Sequence, residues 1–213
     1  MFDVEHVLFT GPDDPKIREI TTRMSRFACN LDTEQERLAE KAYIAETKTP
    51  IVFSRYTPDK VSSEKNVYLI TKREKNGSRV FLAPGVLAFI MFIQKRLNEK
   101  TVKDAQSDFS DYFVKQIKGA RTDNNDILID GKKVMGMTIL YNELYNTAIV
   151  RFVLTMKSEF VRSMTGADDF AETKYKNITG VCDETGMSED TIRTMVNGFV
   201  ETVVSWRGEN DPD

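Results

Sequence analysis

An Asp-Gly pair set between two apolar runs constrains this chain more than any other stretch. Ile127-Leu128-Ile129 precedes Asp130-Gly131, and Val134 to Ile139 follows it. Both turn residues tolerate the positive φ that a two-residue hairpin connection demands, so Asn125 to Gly136, NDILIDGKKVMG, is expected to fold back as a β-hairpin. Its second strand opens with two lysines, Lys132 and Lys133.

Around that hairpin the periodicity changes along the chain. Ile17, Ile20, Met24 and Phe27 recur at helical spacing and predict a helix over 15–28. Asp32 with Gln35 reads as a capping box opening a second helix through Thr47, with Leu38, Ala42 and Ile44 on its apolar side. IVFSRY (51–56), NVYLIT (66–71) and Arg79–Ala83 read as strands, with an exposed polar loop between the first two. Pro84-Gly85 marks a bend or bulge. The following run, VLAFIMFIQ, is apolar throughout and fits a buried strand or a buried helix equally well. Val102, Ala105, Phe109, Phe113 and Ile117 make a helical stripe over 101–118, and AIVRFVLTM (148–156) reads as a strand. Ser188 caps a closing helix over 189–206, with Ile192, Met195, Val196, Phe199 and Val203 on one face. Helices near both ends and strands clustered between them imply an α+β fold with a central, mostly antiparallel sheet. One domain over residues 1–206 and a polar tail, 207–213, is the expected organisation.

Composition narrows the function. The 213 residues are 40% hydrophobic and 30% charged, with a net charge of -3, which gives no basic excess for sequence-blind nucleic-acid binding. The two cysteines, Cys29 and Cys182, lie in no Cys/His cluster of metal-ligand spacing and read as inert thiols. A single histidine, His6, leaves little scope for His-based metal sites or a Ser-His-Asp triad. No apolar run spans a bilayer and no basic n-region leads the chain, so a cytoplasmic protein without membrane attachment is expected.

Neither a Walker A loop nor a GxGxxG fingerprint is present. What remains is KREKNGSRVFLAPGVL (72–87), followed about 40 residues later by the hairpin. On the residues alone, lysines beside an Asp-Gly turn are ordinarily solvated, Asn-Asp before a strand is a turn device, and Gly77 is a loop glycine. Together, however, the two segments resemble the lipoate and octanoate protein ligases and transferases, which share a fold with the biotin protein ligases. Residues 72–87 follow the spacing of that family's glycine-rich RRxSGGGAVYHDxGNL segment. Asn124-Asn125-Asp126-Ile127 through Asp130-Gly131-Lys132-Lys133-Val134 and Gly136 match its RNDixxdGkKixG motif. The resemblance spans residues 20–206 or so.

The resemblance implies an enzyme that activates lipoate or octanoate with ATP as an acyl-adenylate and passes the acyl group to a lysine of a lipoyl-type carrier protein. It gives Lys133 the role of a fixed cation touching carboxylate and α-phosphate. It places Arg73, Asn76, Gly77 and Ser78 around the acyl or phosphate oxygens, and Gly136 beside them. Asn125 and Asp126 would orient the nucleotide, with Asp126 the Mg²⁺ ligand. The departures also define rival readings. The family's triple glycine is Asn76-Gly77-Ser78, and the arginine before Asn-Asp is Asn124. NTAIVRFVLTM carries no histidine, and SEFVRSMTG lacks the transferase cysteine. The accessory C-terminal domain of larger ligases is not in the sequence, so the expected catalytic domain either works alone, works with a separate partner, or has lost the reaction. A non-catalytic relative serving as an adaptor or inhibitor is the alternative. A biotin ligase is the weaker one, since no GRGRxGRxW-like loop is present.

Overall fold

The computed structural model describes residues 2–11, 13–28, 30–53, 68–69, 80–161 and 177–206. In chain order these form β1 (Val4–Phe9), α1 (Pro15–Ala28), α2 (Glu34–Leu38), β2 (Lys41–Thr47), β3 (Ile51–Phe53), β4 (Tyr68–Leu69), β5 (Val80–Leu82) and β6 (Val86–Gln94). There follow α3 (Glu99–Gln116), β7 (Ala120–Asp123), β8 (Asp126–Ile129), β9 (Lys132–Asn142), β10 (Thr147–Thr155), α4 (Val181–Thr185) and α5 (Glu189–Ser205). Seven strands make one sheet in the order β1-β2-β6-β10-β9-β8-β7, and β4-β3-β5 make a smaller one. Among the described strands of the large sheet only β1 and β2 pair in parallel, so the fold is α+β with a mostly antiparallel sheet, as the pattern predicts.

Alternation along β6 and β10 divides the interior into two layers. Leu87, Phe89, Met91 and Ile93 of β6, with Ala148, Val150, Phe152 and Leu154 of β10, face α3 and α5. There Phe199 of α5 meets Phe89, Phe109, Phe113 and Phe152 with ring centroids 4.8–5.6 Å apart. On the opposite face, Val86, Ala88 and Phe92 of β6 and Ile149 of β10 pack with Ile17, Ile20 and Phe27 of α1 and with Ile51 and Leu82 of the small sheet. A strand with both faces covered reads as a continuous apolar run. That resolves VLAFIMFIQ as strand β6.

The same effect overturns the second helix. Helix α2 ends at Leu38, and Lys41–Thr47 is strand β2, where a helix through Thr47 is expected from the sequence. Ala, Glu and Lys give this stretch helical propensity, but Ala42 and Ile44 enter one layer while Tyr43 and Ala45 enter the other. Burial on two faces outweighs a weak local preference. The capping box is real but shifted by one residue: Thr33 is the N-cap and Glu36 closes the box. The edge strand β1 was not expected. Helices α1, α3 and α5 fall close to their predicted ranges, with α3 capped by Asn98 and α5 by Ser188, and the short α4 was not expected.

Pro84-Gly85 is the tight connection between the sheets. Gly85 has φ +84°, and its carbonyl accepts from the N–H groups of Met156 and Lys157 at 2.8 and 3.0 Å. A Cβ there would meet Lys157 at 3.0 Å, so the bend needs both the conformation and the small size of glycine.

Candidate functional site

Two consecutive two-residue turns build the site's framework. Asn124 (φ +54°) and Asn125 join β7 to β8, and Asp130 (φ +49°) with Gly131 (φ +77°) joins β8 to β9. The second is the primed turn that an Asp-Gly pair favours, and the predicted hairpin is present.

Within that hairpin the pairing slips. Asp126 faces Gly136 and Ile127 faces Met135, but Leu128 faces Lys133, so Val134 is an extra residue in β9. Val134, Met135, Met137 and Ile139 all enter the layer beneath α3 and α5. Unbroken alternation would send Lys133 into that apolar layer along with Met135. The β-bulge turns it to the other face, where a cation finds a partner. Lys133 Nζ lies 2.7 Å from Asp126 Oδ1.

The pair is folded over Gly136. A Cβ on that residue would meet Lys133 Nζ at 2.9 Å and Asp126 Oδ1 at 3.0 Å, so glycine's missing side chain makes the space the ion pair occupies. The two side chains are only 29% and 16% exposed, unlike the solvated lysines that ordinarily flank such a turn. The backbone of Lys133 is fixed as well. Its N–H donates to the Asn177 carbonyl at 3.0 Å, and its own carbonyl accepts from Thr179 N–H at 3.0 Å. Lys132 diverges to Glu184 at 2.8 Å, where the buried Thr179 hydroxyl also donates, at 2.6 Å. The two adjacent lysines are thus separated, Lys132 tying the hairpin to α4 and Lys133 left beside Asp126 and Gly136.

Of the residues expected from sequence, the structure brings together Lys133, Asp126 and Gly136. Asn125 borders a shallow hollow against α3, with Val102, Gln106, Ser110 and Thr122, and its carbonyl accepts from Met137 N–H at 2.8 Å. Arg73, Asn76, Gly77 and Ser78 lie outside the described residues. Reading the sequence missed Thr179 and Glu184, which hold the hairpin from outside it. The bulge had a signal: Lys133 has the same parity as Met135, Met137 and Ile139, and a lysine in the register of a core stripe requires an irregularity.

Among the described residues no group of three or more His, Cys, Asp or Glu side chains could hold a metal ion. The donor set at the site is one carboxylate, Asp126, with one oxygen bonded to Lys133. A single carboxylate fits magnesium only where phosphate oxygens and water complete the shell. Cys182, half-buried in α4, has its thiol pushed up, first by burial and then by the nearby Glu189 carboxylate, which disfavours the nucleophilic thiolate. His6 is exposed on edge strand β1, four strands from β9 in the sheet order. No helix among the described residues is long and apolar enough to cross a membrane.

No family model and no curated protein match the sequence. Solved structures do match the fold. A bipartite lipoate protein ligase of Thermoplasma acidophilum, described with its E2 lipoyl domain, aligns over 100% of this chain and 89% of its own, with TM-score 0.67 and 15% identity. Lipoate-protein ligase A bound with ATP aligns over 99% of this chain and 90% of its own, with TM-score 0.64 and 14% identity. LipL1 of P. falciparum in complex with lipoate aligns over 99% and 63%, with TM-score 0.60 and 12% identity. The chain has the lipoate-ligase catalytic fold.

Proposed function

We propose that the chain is an ATP-dependent acyl-protein ligase that activates a small carboxylic acid, of the lipoate or octanoate kind, and delivers it to a lysine of a lipoyl-type carrier. The observation that carries this reading is the bulge at Val134, which turns Lys133 out of the core onto a face shared with Asp126 and Gly136. The reading is supported by a fold shared with structures solved with ATP, with lipoate and with a lipoyl domain as companion.

In the first half-reaction a carboxylate oxygen attacks the α-phosphorus of ATP and pyrophosphate leaves. Both reactants are anionic, so a fixed cation reaching both oxygens stabilises the charge that gathers in the transition state. Lys133 is that cation. Its fixed backbone keeps the ammonium in place, and Asp126 holds it until the substrate anions replace the carboxylate. In the second half-reaction the carrier's lysine amine attacks the acyl carbon and AMP leaves. Magnesium, when bound, neutralises phosphate charge, and the Asp126 oxygen not bonded to Lys133 would hold it. Arg73, Asn76, Gly77 and Ser78 are proposed to receive the acyl and phosphate oxygens, and Asn125 to orient the nucleotide.

ATP with lipoate or octanoate should raise the thermal midpoint of the wild type and release pyrophosphate. Lys133→Ala should abolish pyrophosphate release, a loss of roughly 100-fold or more, while unfolding within about 1 kcal/mol of wild type. Absence of nucleotide binding and of pyrophosphate release in the wild type, with lipoate, octanoate and biotin each tried, would overturn the reading in favour of a protein-binding relative.

A further inference from the structure

The stretch from Asn177 to Gly186 connects the hairpin to the end of β10 through consecutive residues of α4. Toward the hairpin, Glu184 Oε1 receives Lys132 Nζ at 2.8 Å and the Thr179 hydroxyl at 2.6 Å. Thr179 N–H donates in turn to the Lys133 carbonyl, and Ile178 bridges Lys133 in the manner of a parallel strand. Toward β10, Asp183 Oδ2 receives the Ser158 N–H at 2.8 Å and the Ser158 hydroxyl at 2.6 Å, and Cys182 N–H donates to the Met156 carbonyl at 2.9 Å. Met156 and Lys157 also donate their N–H groups to the Gly85 carbonyl. Hydrogen bonds therefore run from Gly85, within the 72–87 segment, through residues 156–158 and 182–184 to Lys132 and Lys133.

This path is closely set. A Cβ on Gly180 would lie 2.4 Å from the Met156 carbonyl oxygen and 2.7 Å from Asp183 Oδ2, so the chain comes as near to the end of β10 as a bare backbone allows. Val181 and Ser158 are buried, and the Glu184 side chain is 16% exposed, where a hydrogen bond to a charged group is stronger than in open water. A single helical turn is not stable by itself, so these contacts decide where α4 stands. We propose that Glu184 is a positioning residue for Lys133. With α4 anchored to β10 through Asp183, the Glu184 carboxylate draws Lys132 aside and, through Thr179, seats the Lys133 backbone, which presents the ammonium over Gly136. The consequence for catalysis rests on the ligase reading, whereas the consequence for Lys133 itself does not.

Wild type, Glu184→Ala, Glu184→Gln and Thr179→Val are compared as full chains. Acetylation of Lys133 by acetic anhydride, without ATP, is followed by mass spectrometry, with Lys103, 73% exposed on α3, as the reference. Pyrophosphate exchange with ATP and octanoate gives kcat and KM, and thermal midpoints report folding. In Glu184→Ala, Lys133 should acetylate severalfold faster with Lys103 unchanged, and kcat should fall about 10-fold or more with KM within about threefold of wild type. Thr179→Val, which leaves the Lys132–Glu184 pair in place, should move both readouts the same way by less. Glu184→Gln, whose amide oxygen still accepts from Lys132 and Thr179, should keep most of the wild-type values. The proposal is overturned if Lys133 acetylation stays at the wild-type rate in folded Glu184→Ala and in Thr179→Val, since Glu184 is then a staple and nothing more. Should Glu184→Ala fail to fold, Thr179→Val decides by the same readouts. Lys133 acetylation that depends on Glu184, in a wild type that exchanges no pyrophosphate, removes the ligase reading and keeps the positioning. Exchange whose kcat is indifferent to Glu184 keeps the ligase reading and removes the positioning.

Discussion

Gly136 shows how one absent side chain organises a site. Both charged groups of the Lys133–Asp126 pair stand within 3.0 Å of where its Cβ would be. In Gly136→Ala the far end of Lys133 is flexible and would move, whereas the methyl itself cannot. The cost to folding is therefore small, on the order of 1 kcal/mol, because the clash is relieved by swinging a partly exposed lysine. The cost to function is larger, since a displacement of about 1 Å in a positioned catalytic group is worth up to roughly 100-fold in rate. Chemical denaturation alongside pyrophosphate exchange separates the two. A variant that keeps full exchange activity would show that the ammonium does not work from the position seen here.

At the scale of elements, the site depends on how α5 and the segment before it are fastened. Glu189, in the first turn of α5, receives Lys157 at 2.5 Å and Arg193 at 2.8 Å, and Arg193 also grips Glu46 of β2 through two bonds of 2.8 and 2.9 Å. The Lys157 hydrogen bond, and after it that of Arg193, holds the Glu189 carboxyl below its ordinary value of 4.5. A carboxyl whose folded pKa is depressed adds stability above its unfolded pKa and loses it as pH falls through the folded value. Glu189→Gln should accordingly cost about 1 kcal/mol at neutral pH. The difference from wild type should shrink below about pH 4.5 and close in stronger acid. Urea titrations across pH would show it, and a gap that persists unchanged into acid would mean that shape rather than charge sets the cost. The bulge belongs to this scale too. It is a property of two strands in register, which is why the hairpin turn is written locally in Asp130-Gly131 while the facing of Lys133 shows only as a lysine with the parity of a core stripe.

For the molecule as a whole, what could be read from the sequence followed from range. Amphipathic helices and the Asp-Gly turn are written within a few residues, and α1, α3, α5 and the hairpin lie close to their expected positions. Strand β2 was misread because its identity comes from being sandwiched between distant layers. The roles expected of Arg73 to Ser78 lie outside the described residues. The two layers also divide the labour of the fold. The layer beneath α3 and α5 holds Phe199, fully buried against four other phenylalanines, and the opposite face of the same sheet carries Lys133, Asp126 and Arg151. Truncating Phe199 removes a large ring from a region that cannot collapse without moving β6, β10 and α3 together. Phe199→Ala should cost about 3–5 kcal/mol, read from guanidinium denaturation. Because the sheet stands between that cavity and the site, ligand affinity per folded molecule should stay within about threefold of wild type at temperatures where the variant is folded. A large fall in affinity with the fold intact would mean that the two layers are mechanically coupled through β6 and β10, and that the packing of α5 helps to set the geometry of the site.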